Sequence, residues 1–270
     1  MNFKRKIKLL LEHATGRQIY VSRFLPRGVN IFQDIQNSLP NFSLDTVFDV
    51  GANVGRFPTQ IFSWYPIAQV YCFEPVTNSF EALCDTFEHN TQVKCFRVAL
   101  SSSCGDGTMV LQPNSVTSFL ISGSEASSKH RPVTEEKLEM LSKASRRSRQ
   151  DQTKTESVTV LTLDKFCTER NIDRINYLKV DTEGADLDVL LGASDMLAHQ
   201  KIDLVQVEAG IDIRNKYHVP FQVLAQHLGK REYYLFGIYD QETLRPSNAS
   251  WNKYANPVFI SQNMLSQFEK

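Results

Sequence analysis

Five residues early in the chain combine reactive or permissive types with a telling spacing: Asp49, Gly51, Asn53, Gly55 and Glu74. Val47, Phe48 and Val50 read as a short buried strand, with Asp49 near its carboxyl end. Gly51 and Gly55 then bracket a tight turn, and residues 56–64 continue as a helix. A strand, a glycine turn and a helix N-terminus form a surface for a nucleotide-like ligand, because glycine lets backbone approach it closely and tolerates positive φ. Val70 to Phe73 reads as a second strand that ends on Glu74. A carboxylate at that strand end accepts hydrogen bonds from both hydroxyls of a ribose. Taken singly, the glycines fit an ordinary βα turn and Glu74 a solvated strand end. In this order and at this spacing they favour a ligand.

The dinucleotide fingerprint is G-x-G-x-x-G, and its middle glycine admits a pyrophosphate. Asn53 stands at that position, which argues against NAD or FAD. Asp49 argues the same way, since a carboxylate ahead of the turn repels a pyrophosphate and suits a cationic ligand. S-adenosylmethionine carries an ammonium, a sulfonium and a ribose. Asp49 and Asn53 would meet its amino-acid part, directly or through water, and Glu74 would hold the ribose. Two other classes stay open: an NAD-dependent oxidoreductase, and a non-catalytic module that binds S-adenosylmethionine.

Further motifs follow in order. The segments FDVGANVG (48–55) and CFEP (72–75), then Val98-Ala99-Leu100-Ser101 with Gly105, VLTLD (160–164) and YLKVDTEG (177–184), resemble the FkbM family of class I, S-adenosylmethionine-dependent methyltransferases. Leu190-Leu191-Gly192-Ala193 and Val207-Glu208 complete the series. The resemblance covers residues 46–210 apart from a divergent stretch near 122–155. It implies an α/β, Rossmann-like class I methyltransferase fold: a mostly parallel seven-stranded sheet with helices on both faces. It also implies methyl transfer to a hydroxyl of a sugar or related small metabolite. The segment at Ala99 would frame the adenine, through backbone contacts. Thr117 and Ser118 resemble a Thr/Ser-rich piece near the ligand face; their hydroxyls would touch substrate, or serve ordinary turn chemistry.

In a sheet of that order Asp181, Glu183 and Glu208 lie at strand ends facing the methyl group. A hydroxyl acceptor must lose its proton, which calls for a positioned base or a metal that lowers its pKa. Asp181 is the leading candidate as base or orienter; its alternative role is to cap the helix that begins near Gly184. Glu183 would bind the methionine ammonium or support the turn. Lys179 would pair with one of these carboxylates or point into solvent. The three acids also form an oxygen set of the kind that suits Mg²⁺, though no metal ligand is assigned. His199 and His218 read as surface or helix-end residues.

At 270 residues, 41% of them hydrophobic, the chain can bury a sizeable core. Thirty basic and thirty acidic residues give zero formal net charge, so no global field draws it to nucleic acid. Five cysteines without a C-x-x-C pair fit buried thiols in a reducing, cytoplasmic setting better than a disulfide framework or zinc site. No stretch reaches the roughly 20 apolar residues that span a bilayer.

The elements that must hold these residues alternate. Residues 1–45 form a helical lead-in, with a basic amphipathic helix over 4–13 and another helix near 31–38. The methyltransferase domain runs from 46 to 270. Strands are expected at 46–50, 69–73, 93–98, 157–163, 176–180 and 202–207, with a closing antiparallel pair at 233–239 and 257–261. Helices are expected at 55–64, 77–89, 164–170, 185–198 and 220–228. A hairpin is expected over 105–121. Residues 122–156 form a polar, partly basic insertion, either a solvated surface or a lid for an anionic acceptor. Such alternation implies parallel strands joined by right-handed helical crossovers.

Overall fold

The computed structural model describes residues 25–111, 119–122, 154–215, 217–244 and 251–268. The chain divides into two units, Met1–Phe42 and Ser43–Lys270. In the first, helix α1 (Ile31–Ser38) starts where the Asn30 side chain accepts the Gln33 N–H. The expected helix over 4–13 lies outside the described residues.

The second unit holds two sheets. In the larger one β1 (Thr46–Val50) is central. Parallel to it run β2 (Gln69–Phe73) and β3 (Val93–Phe96) on one side. On its other side run β8 (Ile175–Val180) and β9 (Ile202–Val207), also parallel. Then comes β12 (Trp251–Ser261), antiparallel to β9, with β11 (Tyr233–Leu244) outside it. The order of these seven strands, 3-2-1-8-9-12-11, reverses direction at β1, between β2 and β8. That is the point where open α/β sheets take ligands. A two-residue strand, β10 (Ala209–Gly210), adds an eighth member against β12.

Helix α2 (Arg56–Phe62) joins β1 to β2, and α3 (Thr77–Thr86) joins β2 to β3. Helices α5 (Asp186–Leu191) and α6 (Ser194–Ala198) join β8 to β9. The strand order runs outward in opposite directions from β1, so right-handed crossovers put these two sets on opposite faces. The packing agrees. Leu163 and Phe166 of α4 (Leu163–Arg170), Leu190, Leu197, and Leu224 and Leu228 of α7 (Phe221–Gly229) share one core with Phe48, Val50, Leu178, Val180, Val205 and Val207. On the other face Phe57 of α2 packs on Tyr177 with ring centroids 5.7 Å apart.

The single helix expected over 185–198 is broken at Gly192–Ala193. A Cβ on Gly192 would stand 2.0 Å from the Ser101 carbonyl oxygen, so the break lets the neighbouring loop come in against the backbone. A short helix α8 (Gln262–Leu265) follows β12.

The second sheet was not expected as a separate body. The chain leaves β3, forms β4 (Ala99–Leu100), and continues into the hairpin β5 (Gly105–Leu111) and β6 (Phe119–Ser122). Strand β7 (Lys154–Leu161) returns between β4 and β5, giving the order 4-7-5-6. Met109, Leu120, Val158 and Val160 pack with Val76 and Ala99 in a small core of their own. Residues 112–118, with Thr117 and Ser118, lie outside the described residues, as does most of the insertion (123–153).

Candidate active site

The carboxyl ends of β1, β2 and β8 open on a cavity of about 150 Å³. Gly51 and Asn53 line it from the first turn, Glu74 to Val76 from the second, and Asp181 to Glu183 from the third. Val98 to Leu100 form one wall, and Met109 and Leu120 of the second sheet add an apolar one.

The glycine turn is fixed by its neighbours. Gly51 has φ +82°, and a Cβ there would lie 1.9 Å from the Asp181 carbonyl oxygen, so any side chain would force the two loops apart. The Gly51 and Ala52 N–H groups donate to the Phe73 carbonyl, and the Asp181 N–H donates to that of Val50. Asn53 is left-handed at φ 49°, a conformation asparagine tolerates. Gly55, φ +86°, is the N-cap of α2 and stands outside the cavity lining, against Phe87 and Leu83. Its part is to turn the chain into the helix.

Glu74 joins the two turns. Its Oε2 accepts the Asn53 N–H and its Oε1 accepts the Val76 N–H, both at 2.9 Å. Burial pushes its carboxyl above the ordinary value, against the pull of those two amides. Each oxygen retains lone-pair capacity on the cavity side, as a carboxylate has about four acceptor positions. The site therefore fits a ligand that presents two adjacent hydroxyls.

Asp49 departs from expectation. It is fully buried, does not line the cavity, and pairs with Lys179, its register partner on β8. Lys179 Nζ lies 3.1 Å from both Asp49 Oδ1 and Asp181 Oδ2, over the face of Phe57. Burial alone would lower the Lys179 ammonium, but the two carboxylates outweigh it and hold the group above its ordinary value. Asp49 thus acts on the site through Lys179, which ties Asp181 in place. Asp181 caps no helix: α5 begins after Ala185, with no side-chain cap.

Beyond Asp181 lies a second group. Glu183 has a left-handed backbone at φ 54°. Glu208 follows β9 and is buried, with Oε2 2.9 Å from His218 Nε2. His218 is 5% exposed rather than a surface residue, while His199 is exposed. The Glu208 contact raises the His218 imidazole against the opposing effect of burial. Asp186, not among the residues expected at the site, is wholly buried. Its Oδ1 accepts the Glu208 N–H and its Oδ2 the Thr182 hydroxyl. Burial and the Glu208 charge push its carboxyl up to about 7. The D-x-E-G-A-D spacing, with an acid one step into the helix, was the signal available for it.

Residues 49–244 match the methyltransferase FkbM domain. The chain belongs to the FkbM methyltransferase family. Among curated relatives, the hexuronic acid methyltransferase AglP of Haloferax volcanii is 28% identical over 171 residues, 62% of this chain and 58% of that protein. The 31-O-demethyl-FK506 methyltransferase FkbM of Streptomyces tacrolimicus is 28% identical over 163 residues, 56% of this chain and 60% of that one. The chain thus spans under two thirds of the length of these relatives. Among solved structures, the N-methyltransferase NodS of Bradyrhizobium japonicum, bound to S-adenosylhomocysteine, aligns with a TM-score of 0.44 at 7% identity, covering 86% of this chain and 89% of that one. The FkbM match spans the cavity-lining turns and both strands of the hairpin that adds Met109 and Leu120. No helix among the described residues is long and apolar enough to cross a membrane.

Proposed function

We propose that the protein is an S-adenosylmethionine-dependent O-methyltransferase acting on a hydroxyl of a sugar or related small metabolite. The observation that carries the reading is Glu74: a strand-end carboxylate, anchored by two backbone amides and facing a cavity beside a glycine turn, in a chain of the FkbM family. The acceptors named for the two relatives, a hexuronic acid and a 31-O-demethylated FK506, support an oxygen acceptor.

S-adenosylmethionine, when bound, supplies an electrophilic methyl group on a sulfonium. Glu74 accepts the ribose hydroxyls. Gly51 and Asn53 line the amino-acid end, and the backbone of Val98 to Leu100, with Ala99 at its centre, frames the adenine. Asp181, Glu183 and Glu208 form the acceptor end. Asp181, held by Lys179, orients the acceptor hydroxyl and receives its proton as the oxygen takes the methyl group. Holding oxygen and methyl in line contributes up to about 7–11 kcal/mol of the rate enhancement. Thr117 and Ser118 belong to the substrate side of this proposal.

Calorimetric titration with S-adenosylmethionine, S-adenosylhomocysteine and NADH tests it. Micromolar binding of the first two, weakened at least tenfold in Glu74→Gln, is expected. Glutamine is preferred to alanine because it keeps an acceptor for one of the two backbone amides. Binding of NADH alone overturns the reading. A turnover screen with hexuronates and other sugars then identifies the acceptor.

A further inference from the structure

We propose that Glu183, Glu208 and His218 form a binding site for a divalent transition-metal ion. Each brings a ligand atom within 4.8 Å of the other two. Glu208 and His218 already sit as neighbours in a coordination shell would. Their Oε2 and Nε2 are 2.9 Å apart, the separation of two ligands at right angles and about 2.1 Å from one ion. Glu183, within 4.8 Å of both, would supply the third donor of the face.

Burial supplies a second, independent observation. Glu208 is 8% exposed, and its buried Oε2 has no hydrogen-bond donor besides the His218 ring nitrogen. A buried carboxylate oxygen needs a proton donor or a cation to offset its lost hydration; the His218 ring N–H fills that place in the ion-free protein, and an ion held between the two would take the place of that proton. Four carboxylates, of Asp181, Glu183, Asp186 and Glu208, gather at these strand ends. The Lys179 ammonium is already shared between Asp49 and Asp181. A doubly charged ion at Glu183, Glu208 and His218 would add positive charge to this acidic cluster.

The surroundings orient the donors. Asn215 Nδ2 lies 2.9 Å from His218 Nδ1, while Asn215 Oδ1 accepts the N–H groups of Tyr217 and His218. The ring is also held through Asn215 Oδ1, 3.2 Å from His218 Nδ1; with the Nδ1 proton donated to that oxygen, Nε2 keeps its lone pair for an ion, the arrangement of ligating histidines. Asp186 fixes the backbone of Glu208 through its N–H.

Asp181 is not part of the set, because its carboxylate carries the Lys179 ammonium, which repels a cation. A nitrogen donor beside two carboxylates favours Mn²⁺, Fe²⁺ or Zn²⁺ over Mg²⁺ or Ca²⁺. The catalytic use of the ion, lowering the pKa of a bound acceptor hydroxyl, rests on the methyltransferase reading; its binding does not.

The test uses the full chain, freed of metal with chelator and titrated with Mn²⁺ while the electron paramagnetic resonance signal of free Mn²⁺ is followed. One equivalent of uptake is expected, displaced by Zn²⁺, weakened at least tenfold in both Glu183→Gln and His218→Gln, and retained in Asp181→Asn. Glu183 is only partly buried, so its variant keeps the test sound if the His218 variant misfolds; circular dichroism melts check both. No Mn²⁺ uptake at millimolar concentration overturns the site, as does equal uptake by wild type and Glu183→Gln. S-adenosylmethionine titrated into the chelated protein judges the methyltransferase reading separately. Cofactor binding without Mn²⁺ uptake removes the metal site alone.

Discussion

Lys179 illustrates how one side chain can serve fold and site together. It sits between Asp49, which is fully buried, and Asp181, which lines the cavity. Removing the ammonium strands the Asp49 carboxylate in the interior, and breaking a buried pair from one side costs about 3–5 kcal/mol. Lys179→Met should therefore lower stability by about that amount in urea unfolding. The double variant Asp49→Asn with Lys179→Met should recover part of it, because no charge is then left unpaired. A double-mutant cycle measures the coupling. At this scale the sequence was informative about residue types and less so about partners. Gly51, Asn53 and Glu74, read from their spacing, line one cavity with Ala99, Asp181 and Glu183, which the family resemblance placed there. The pairing of Asp49 with Lys179 depends on the register of two strands 130 residues apart, which no local pattern encodes. His218 is only ten residues beyond Glu208, but the loop that returns it, where Gly210 bridges Pro220, follows no periodic pattern.

Elements whose pattern is local were readable. Strands β1, β2 and β9 match their expected spans, and β8 is one residue longer. Helix α4 begins where Thr162 accepts the Lys165 N–H, as a Thr-Leu-Asp start suggests. The last two strands extend well beyond their apolar runs, since an antiparallel partner sustains them. The second sheet was hidden because β4 has two residues and pairs with a strand some sixty positions away.

Helix α7 carries a titration of its own. His227, in its last turn, is pushed down to about 4 by burial and by the Arg231 charge, and its buried Nε2 has no hydrogen-bond partner. The folded value lies below that of an unfolded histidine, about 6.5. The unfolded chain therefore binds more protons between those values. The His227 contribution is fully present above about pH 6.5 and is lost as pH falls toward about 4. His227→Gln should flatten this part of the stability profile. The difference in urea midpoint between the two proteins, taken from pH 7.5 to 4.5, isolates it from carboxylates titrating in the same range.

At the scale of the molecule, the site lies where strand order reverses, so its residues come from distant parts of the chain. Under the proposed function, turns after β1 and β2 would supply the cofactor end, and turns after β8 and β9 the acceptor end. The two sheets share the cavity yet, among the described residues, exchange no strand pairing. Val50, Gly51 and Glu74 belong to the larger sheet and its turns, whereas Ala99, Met109 and Leu120 belong to the smaller. A molecule filling the cavity touches both and adds an internal brace to the contacts that already join them, such as Thr77 with Glu156 and Val76 with Met109 and Leu120. Saturating S-adenosylhomocysteine should then slow amide hydrogen exchange in β5, which lines the cavity through Met109, and in β7, whose residues do not line it, as well as in the glycine turn. Equal exchange with and without it in those two strands would mean that the smaller sheet stands without the brace. The protein would thus keep part of its rigidity outside its own covalent chain, on loan from the molecule it consumes.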